Sequence, residues 1–323
     1  MMKNTFLYGY IKLYIRVKTL TGLRIGGRKE TVEIGDVDLS VIKDPITELP
    51  YIPGSSLKGK LRSLVEKINN MFGYYEKENV QNQQEIDDFI NKIKNKQEKP
   101  KNPEEPFGIN IKIKKPTNPE ETSDINIKTK DYENYILTKL VKEFPIIRMF
   151  GNHKSDIGIE PRLIIRDLIC MNKNKDEIYE IKPENIVDRV RGRAQHPREI
   201  ERVRKGVEFT GEIVYRLYGW DILSEEEVIQ QTLEDMNKLK QAIIYLMKYD
   251  YLGGSGTRGY GKVALWIDKI EIEFDNNKKI IEAKDFEKIN GDDKLTNELK
   301  KIGKEILDVA IEESKKYSEN IIL

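Results

Sequence analysis

Several residue types that carry chemistry are scarce in this chain. Its 323 residues hold one cysteine, Cys170, so neither a disulfide framework nor a cysteine-based zinc site can form. Cys170 sits in the apolar run Leu168-Ile169-Cys170-Met171, where a buried small side chain is expected. The two histidines, His153 and His196, cannot by themselves complete a usual metal set. Nothing resembles a His–His ribonuclease pair or a Ser/His/Asp arrangement. No apolar run of about 18 residues occurs, and no signal peptide precedes the first strand-like segment, so a soluble, cytoplasmic protein without a membrane partner is expected. Net charge is missing too: 56 Lys and Arg face 55 Asp and Glu, leaving +1 in a chain that is 34% charged. Any nucleic-acid site must therefore come from local clustering.

Alternation over residues 9–20 puts Ile11, Leu13, Ile15 and Val17 on one side and Tyr10, Lys12, Tyr14 and Arg16 on the other, the pattern of a half-buried strand. Leu57, Leu61, Leu64, Val65 and Ile68 then recur at helical spacing over 55–70. Residues 162–171 and 207–219 read as further strands. Ser224 with Glu227 is a capping box opening a helix to about Tyr249, and 262–274 is the last core strand. Strand, helix, strand, strand, helix, strand predicts an α+β fold with a ferredoxin-like, RRM-like βαββαβ palm. That core takes residues 1–73 and 136–275, including an insertion at 172–206. Residues 74–135, rich in Asn, Lys, Glu, Gln and Pro, are predicted to be an inserted lid. Ile86, Phe89, Ile90 and Ile93 suggest one short helix there, and Ile109/Ile111/Ile113 with Ile125/Ile127 suggest a hairpin. Residues 276–323 are predicted to be a C-terminal helical extension, with Leu295, Leu299, Ile302, Ile306 and Val309 on one stripe.

The richest stretch is Pro50-Tyr51-Ile52-Pro53-Gly54-Ser55-Ser56-Leu57-Lys58-Gly59-Lys60-Leu61-Arg62. Two prolines keep the approach extended, Gly54 allows a close turn, and Ser55 or Ser56 can cap the helix. Lys58 and Arg62, four apart, share a face beside a helix start that attracts anions. Gly54-x4-Gly59-Lys60 nearly fits a nucleotide-binding P-loop, but Leu61 stands where Ser or Thr must hold Mg²⁺, and the prolines break the strand such a loop needs. Residues 253–261, Gly-Gly-Ser-Gly-Thr-Arg-Gly-Tyr-Gly, bring main-chain amides close to a phosphate or a neighbouring backbone, with Arg258 for charge and Tyr260 as a stacking face. Residues 189–205 hold six arginines and one lysine against two glutamates, a set suited to bidentate phosphate contacts and salt-dependent RNA binding. Among the loop acids, Asp44 before Pro45 fits a turn former. Asp36 and Asp38, two apart on an extended segment, point the same way and suit a divalent cation held through water.

Thr21-Gly22-Leu23-x-Ile25-Gly26-Gly27, Ile34-Gly35-x-x-Asp38, Lys43-Asp44-Pro45-x-Thr47, Ile52 to Arg62, Pro197-Arg198-x-Ile200-Glu201-Arg202-Val203 and the glycine loop occur in this order. As a set they resemble the RAMP superfamily, and specifically the repeated backbone subunit of the type III-A CRISPR (Csm) effector complex. The resemblance implies an RRM-like palm, and a thumb hairpin at 172–206 that wedges into the guide–target duplex. It also implies copies stacked head to tail along one CRISPR RNA beside other Csm subunits, and cutting of target RNA at regular intervals. The family's catalytic aspartate falls on Asp38, with Mg²⁺ or Mn²⁺ at Asp38 and Asp36 as a second candidate ligand. RNA-binding positions fall on Arg24, Lys43, Ser55, Ser56, Lys58, Arg62, Arg193, Arg198, Arg202, Gly254, Gly256, Arg258 and Gly259. Arg24 replaces the histidine that family members often carry, a permanent cation in place of a proton carrier. An aspartate of ordinary pKa, about 3.9, is a poor base at neutral pH. Asp38 is therefore expected to position a divalent ion or the attacking ribose 2′-OH, with forced in-line geometry supplying most of the acceleration. The alternative is a non-catalytic, structural RNA-binding RAMP subunit of the same kind of complex. A RAMP enzyme that processes the CRISPR transcript is a third reading, but it would want a general acid/base pair.

Overall fold

The computed structural model describes residues 5–26, 40–68, 108–115, 118–128, 142, 145–151, 159–188, 190–220, 223–274, 277–287 and 293–319. Asp36, Asp38 and the helix expected around Ile86 to Ile93 lie outside them. The chain forms two compact units, 1–65 with 162–323, and 66–161. No described helix is long and apolar enough to cross a membrane.

The first unit is built on an antiparallel sheet. Its strands are β1 (Thr5–Thr19), β2 (Tyr51–Ile52), then, past the second unit's β3 (Gly108–Lys115) and β4 (Asn118–Lys128), β5 (Leu163–Ile165), β6 (Leu168–Cys170), β9 (Glu208–Trp220), β10 (Val263–Phe274) and β11 (Asn277–Glu282). Between β6 and β9 lies a separate hairpin of β7 (Tyr179–Asp188) and β8 (Arg193–Val203). The sheet order is β11-β10-β1-β9-β6-β2, with β5 also paired to β9. Three long helices accompany it: α1 (Gly54–Ile68), α2 (Glu225–Tyr249) and α3 (Lys294–Glu319).

Period two decides the faces of the sheet. Ile11, Leu13, Ile15 and Val17 of β1 and Phe209, Ile213, Tyr215 and Leu217 of β9 are buried. Each such side chain taken out of water contributes about 1.5–3 kcal/mol. Helix α2 packs on β9 and β10, and its capping box is complete: Glu227 N–H donates to Ser224 Oγ at 3.2 Å, and Ser224 N–H donates to Glu227 Oε2 at 2.9 Å. Helix α3 packs on α2 and β10, burying Leu295, Leu299, Ile302 and Ile306, with Ala310 rather than Val309 completing the stripe.

The other face of the sheet is charged and internally paired. Arg16 holds Asp268 through two nitrogens, at 2.6 and 3.2 Å, and lies 3.5 Å from Glu208. Lys18 meets Glu208 at 3.1 Å, Lys278 meets Glu271 at 3.0 Å, and Tyr10 Oη donates to Glu271 and Glu273. Cations that already have carboxylate partners leave little net attraction for a phosphate strand.

Residues 162–171, read from the sequence as one strand, form two. Ile165 pairs with Ile213 but Ile169 pairs with Thr210, so the segment carries one extra residue and bulges at Arg166–Asp167. The bulge frees Asp167 to accept a hydrogen bond from Gly54 N–H at 2.7 Å, which anchors the start of α1. The second unit contains the β3–β4 hairpin, pairing Ile109 with Ile127 and Ile111 with Ile125, and a short helix Pro145–Phe150. Gly151, at φ +82°, ends that helix.

One polar network is buried in the first unit. Arg162 and Asp235 are fully buried, and Tyr215 Oη links them, accepting from Arg162 Nη1 at 3.2 Å and donating to Asp235. Arg162 Nη2 donates to Tyr218 O at 2.6 Å and to Gln231 Oε1 at 3.0 Å. A buried network of this kind is costly when half satisfied. Tyr215→Phe removes the central hydroxyl and is expected to cost about 1–3 kcal/mol. Urea unfolding should show a lower midpoint at an unchanged m-value; an unchanged midpoint would mean the network carries no weight.

Candidate nucleic-acid interface

Residues Gly22 to Gly26 are hydrogen-bonded to three other segments. Leu23 exchanges both backbone bonds with Val203 at the foot of β8, at 2.9 and 2.8 Å. Gly261 N–H donates to Gly22 O, and Gly254 N–H donates to Arg24 O, each at 2.8 Å. Ile42 N–H donates to Ile25 O at 2.9 Å, and Gly26 bridges Val41. Leu23, Val41, Val203 and Phe209 are buried beneath this junction. The loop carrying Asp36 and Asp38 therefore leaves and returns at one place, the foot of the β7–β8 hairpin.

The junction explains several glycines. Gly253 has φ +77°, and a Cβ there would lie 2.3 Å from Arg24 O; a Cβ on Gly22 would lie 2.5 Å from Arg202 Cδ. A Cβ on Gly256 would run into the Tyr251 ring. Gly254, Gly256, Arg258 and Gly259 are thus packed or turned by neighbouring protein, although Gly254, Arg258 and Gly259 also face solvent. Gly259, at φ +85°, has open space around it.

Charge pairing runs through the hairpin. The register sets Glu180 opposite Arg202 and Glu184 opposite Arg198. Arg202 Nε donates to Glu180 Oε1 at 2.6 Å. Arg258 Nη1 donates to Glu184 Oε2 at 3.0 Å, and Lys182 lies 3.6 Å from Glu184 Oε1. Lys43 Nζ binds Glu201 Oε1 at 2.7 Å and sits 4.5 Å over the Tyr179 ring, while Val41 N–H donates to the other Glu201 oxygen. The Tyr260 ring is 1% exposed, covered by Lys182 at 4.6 Å and Arg202 at 4.8 Å. Its faces are taken by protein cations, so it offers no stacking platform to a base. Burial and the neighbouring Glu184 carboxylate push the Tyr260 hydroxyl up to about 12.

Arg193 and Arg198 are exposed on β8 and have no partner among the described residues. The turn beyond them is ordered by Asp188, whose carboxylate accepts from Val190 and Arg191 N–H at 2.9 and 3.1 Å. Arg24 is half-buried; its Nε is buried without a hydrogen-bond partner, and its Nη1 lies 3.8 Å from the Cβ position of Gly254.

At α1 the serines are not the cap. The helix begins at Gly54, Ser55 and Ser56 occupy its first turn, and Asp167 accepts the Gly54 amide. A Cβ on Gly54 would lie 2.1 Å from Ile165 O, so only glycine allows this approach. Lys60 binds Asp250 at 3.3 Å and covers Tyr251 at 4.3 Å, tying α1 to the start of the glycine loop. Lys58 has no carboxylate partner among the described residues. Burial first, then Arg62 and Arg216, hold its pKa below the ordinary lysine value. Arg216, on β9, joins the Lys58/Arg62 pair, and sequence spacing gave no sign of it. Glu180 and Glu184 were also missed, although pairing 179–188 with 193–203 would have set them against Arg202 and Arg198.

Among the described residues no group of three His, Cys, Asp or Glu is gathered to hold a metal.

The model of the RAMP superfamily matches residues 16–264. The chain is 33% identical over 263 residues to the CRISPR system Cms endoribonuclease Csm3 of Streptococcus thermophilus, covering 80% of this chain and 87% of the relative. It is 30% identical over 272 residues to the protein of the same name from Enterococcus italicus, covering 82% and 94%. A solved structure, the Csm3–Csm4 subcomplex in the type III-A CRISPR-Cas interference complex, aligns over 86% of this chain and 90% of its own at 22% identity and TM-score 0.39.

The depressed Lys58 pKa carries a stability consequence. A folded-state value below the unfolded one means the protonated side chain weakens the fold at neutral pH, and the cost fades as pH rises through the depressed value. Lys58→Gln is expected to stabilise the chain by about 0.5 kcal/mol at pH 7, the scale of like-charge crowding on a helix, and by less at higher pH. Denaturation midpoints at both pH values check this; a destabilised variant would contradict the crowding.

Proposed function

The chain belongs to the RAMP superfamily, and from that membership we propose that it is a CRISPR RNA-binding backbone subunit of a type III-A interference complex that cuts target RNA. The observation that carries the reading is the junction at Gly22 to Gly26. Backbone bonds bring Gly26 and Val41, which flank the segment carrying Asp38, to the foot of the hairpin beside the glycine loop, and this supports a reading in which RNA bound there meets the acid. The two curated relatives described above are named as endoribonucleases, which supports the same activity here. The order β10-β1-β9-β6, with α1 and α2 between successive core strands, is what a ferredoxin-like, RRM-like palm would have. On this reading the β7–β8 hairpin is the thumb that displaces one target nucleotide. Further copies of the chain follow along the guide, an open heterologous assembly, beside other Csm subunits.

The palm's paired outer face argues against RNA lying across the sheet. Arg24, Lys58, Arg62, Arg193 and Arg198 instead supply phosphate contacts around its rim. In the cleavage step the ribose 2′-OH attacks the adjacent phosphate as the P–O5′ bond to the next nucleotide breaks. The hydroxyl gives up its proton, the departing 5′-oxygen takes one up, and a 2′,3′-cyclic phosphate and a 5′-hydroxyl end result, with Asp38 orienting the hydroxyl. A divalent cation, Mg²⁺ or Mn²⁺, held by Asp38 and Asp36 would supply positive charge at that phosphate. The thumb's contribution is geometric, holding the displaced nucleotide in line.

Asp38→Ala in the assembled complex is expected to keep guide and target binding and lose cutting, by about 10²-fold or more. Product mapping on target RNA decides: regular cuts that persist in this variant would remove the assignment and favour the non-catalytic subunit. Lys58→Ala with Arg62→Ala should weaken RNA binding and flatten its salt dependence by about 0.7 in log–log slope for each phosphate no longer neutralised. An unchanged slope would take these two residues out of the phosphate site.

A further inference from the structure

Three of the five buried side-chain polar atoms that lack a partner among the described residues belong to Arg24, Glu184 and Tyr260, around the glycine loop. Tyr260 Oη and Glu184 Oε1 face each other as donor and acceptor but stop short of full hydrogen-bond geometry. These two groups face each other closely enough that each shifts the other's pKa. Meanwhile the second Glu184 oxygen is drawn to Arg258, whose side chain is 64% exposed. An imperfectly partnered buried donor carries a cost of up to about 1–3 kcal/mol, which the charged contact of Glu184 with Arg258 offsets in the free chain.

We propose that in the free protein the Glu184 carboxylate occupies the place of one RNA phosphodiester, between Arg258 of the glycine loop and Lys182 of β7. The proposal rests on the RNA-binding reading above and adds a site to it. When a phosphate takes Arg258, with Arg24 alongside across Gly254, Glu184 is released from the guanidinium. It then accepts from Tyr260 Oη while keeping Lys182, and the two orphaned atoms satisfy each other. The exchange swaps one anion for another at Arg258 and breaks no covalent bond. It also links occupancy of the glycine loop to the foot of the hairpin, because Glu184 and Lys182 lie on β7 and Tyr260 is clasped by Arg202 of β8.

Burial raises the Glu184 pKa, but Tyr260, Arg258 and Lys182 outweigh it and hold the group below the ordinary glutamate value. The competing charge is therefore present at neutral pH.

The test is RNA binding by the full chain, using a fluorescent single-stranded RNA over a range of salt. Glu184→Gln removes the competing charge and should bind about threefold more tightly at low salt, the scale of an exposed ion pair. Its log–log salt slope should stay that of the wild type, because a phosphate takes Arg258 in both complexes and the number neutralised is the same. Adding Arg258→Ala should abolish the gain. If circular dichroism shows Glu184→Gln unfolded, Glu184→Asp, which draws the charge back from Arg258, should shift affinity in the same direction. Unchanged or weaker binding by a folded variant, or a gain that survives Arg258→Ala, overturns the stand-in while leaving RNA binding intact. A wild-type chain that binds no RNA overturns both.

Discussion

Five residues, Gly22 to Gly26, are held by backbone hydrogen bonds to the hairpin foot, the glycine loop and the returning loop at Val41. Most of what surrounds the candidate site follows from this clasp. The close approach of Arg24 O and a positive φ require glycine at position 253, and the Arg202 side chain fills the space beside Gly22. The sheet beneath supplies rigidity, since β1 runs directly into the clasp and pairs on both sides.

The core was legible because its faces obey simple periods. Alternation marked β1 and β9, helical spacing marked α1 and α3, and a capping box marked the start of α2. What could not be read had non-local causes. The break at Arg166–Asp167 depends on register with β9 and on the Gly54 amide, both far away in sequence. The cap of α1 was sought locally at Ser55 and Ser56, whereas Asp167 supplies it from the bulge between β5 and β6. The two-residue β2 and the edge strand β11 are too short or too polar to announce themselves.

The site was legible as a set of cations and glycines, but not as a balance of charge. Counting 189–205 alone gives a strongly basic segment. Pairing with β7 sets Glu180 against Arg202, while Glu184 takes Arg258 of the glycine loop and Glu201 takes Lys43. Arg202, Arg258 and Lys43 are thereby held in defined positions by carboxylates. Lys58 is the opposite case, a half-buried cation crowded by two others. Crowding of this kind weakens the fold slightly and is relieved when an anion arrives, the usual signature of a binding surface kept at some expense to stability.

The central claim is that RNA runs along the rim formed by the clasp, α1, the hairpin and the glycine loop, and not across the paired face of the sheet. Photo-crosslinking of thiouridine-substituted guide RNA in the assembled complex, followed by peptide mapping, tests this directly. The account predicts crosslinks in residues 22–26, 54–62, 179–205 and 253–262. Crosslinks confined to the outer sheet face, at Tyr10, Tyr14 and Trp266, would contradict it.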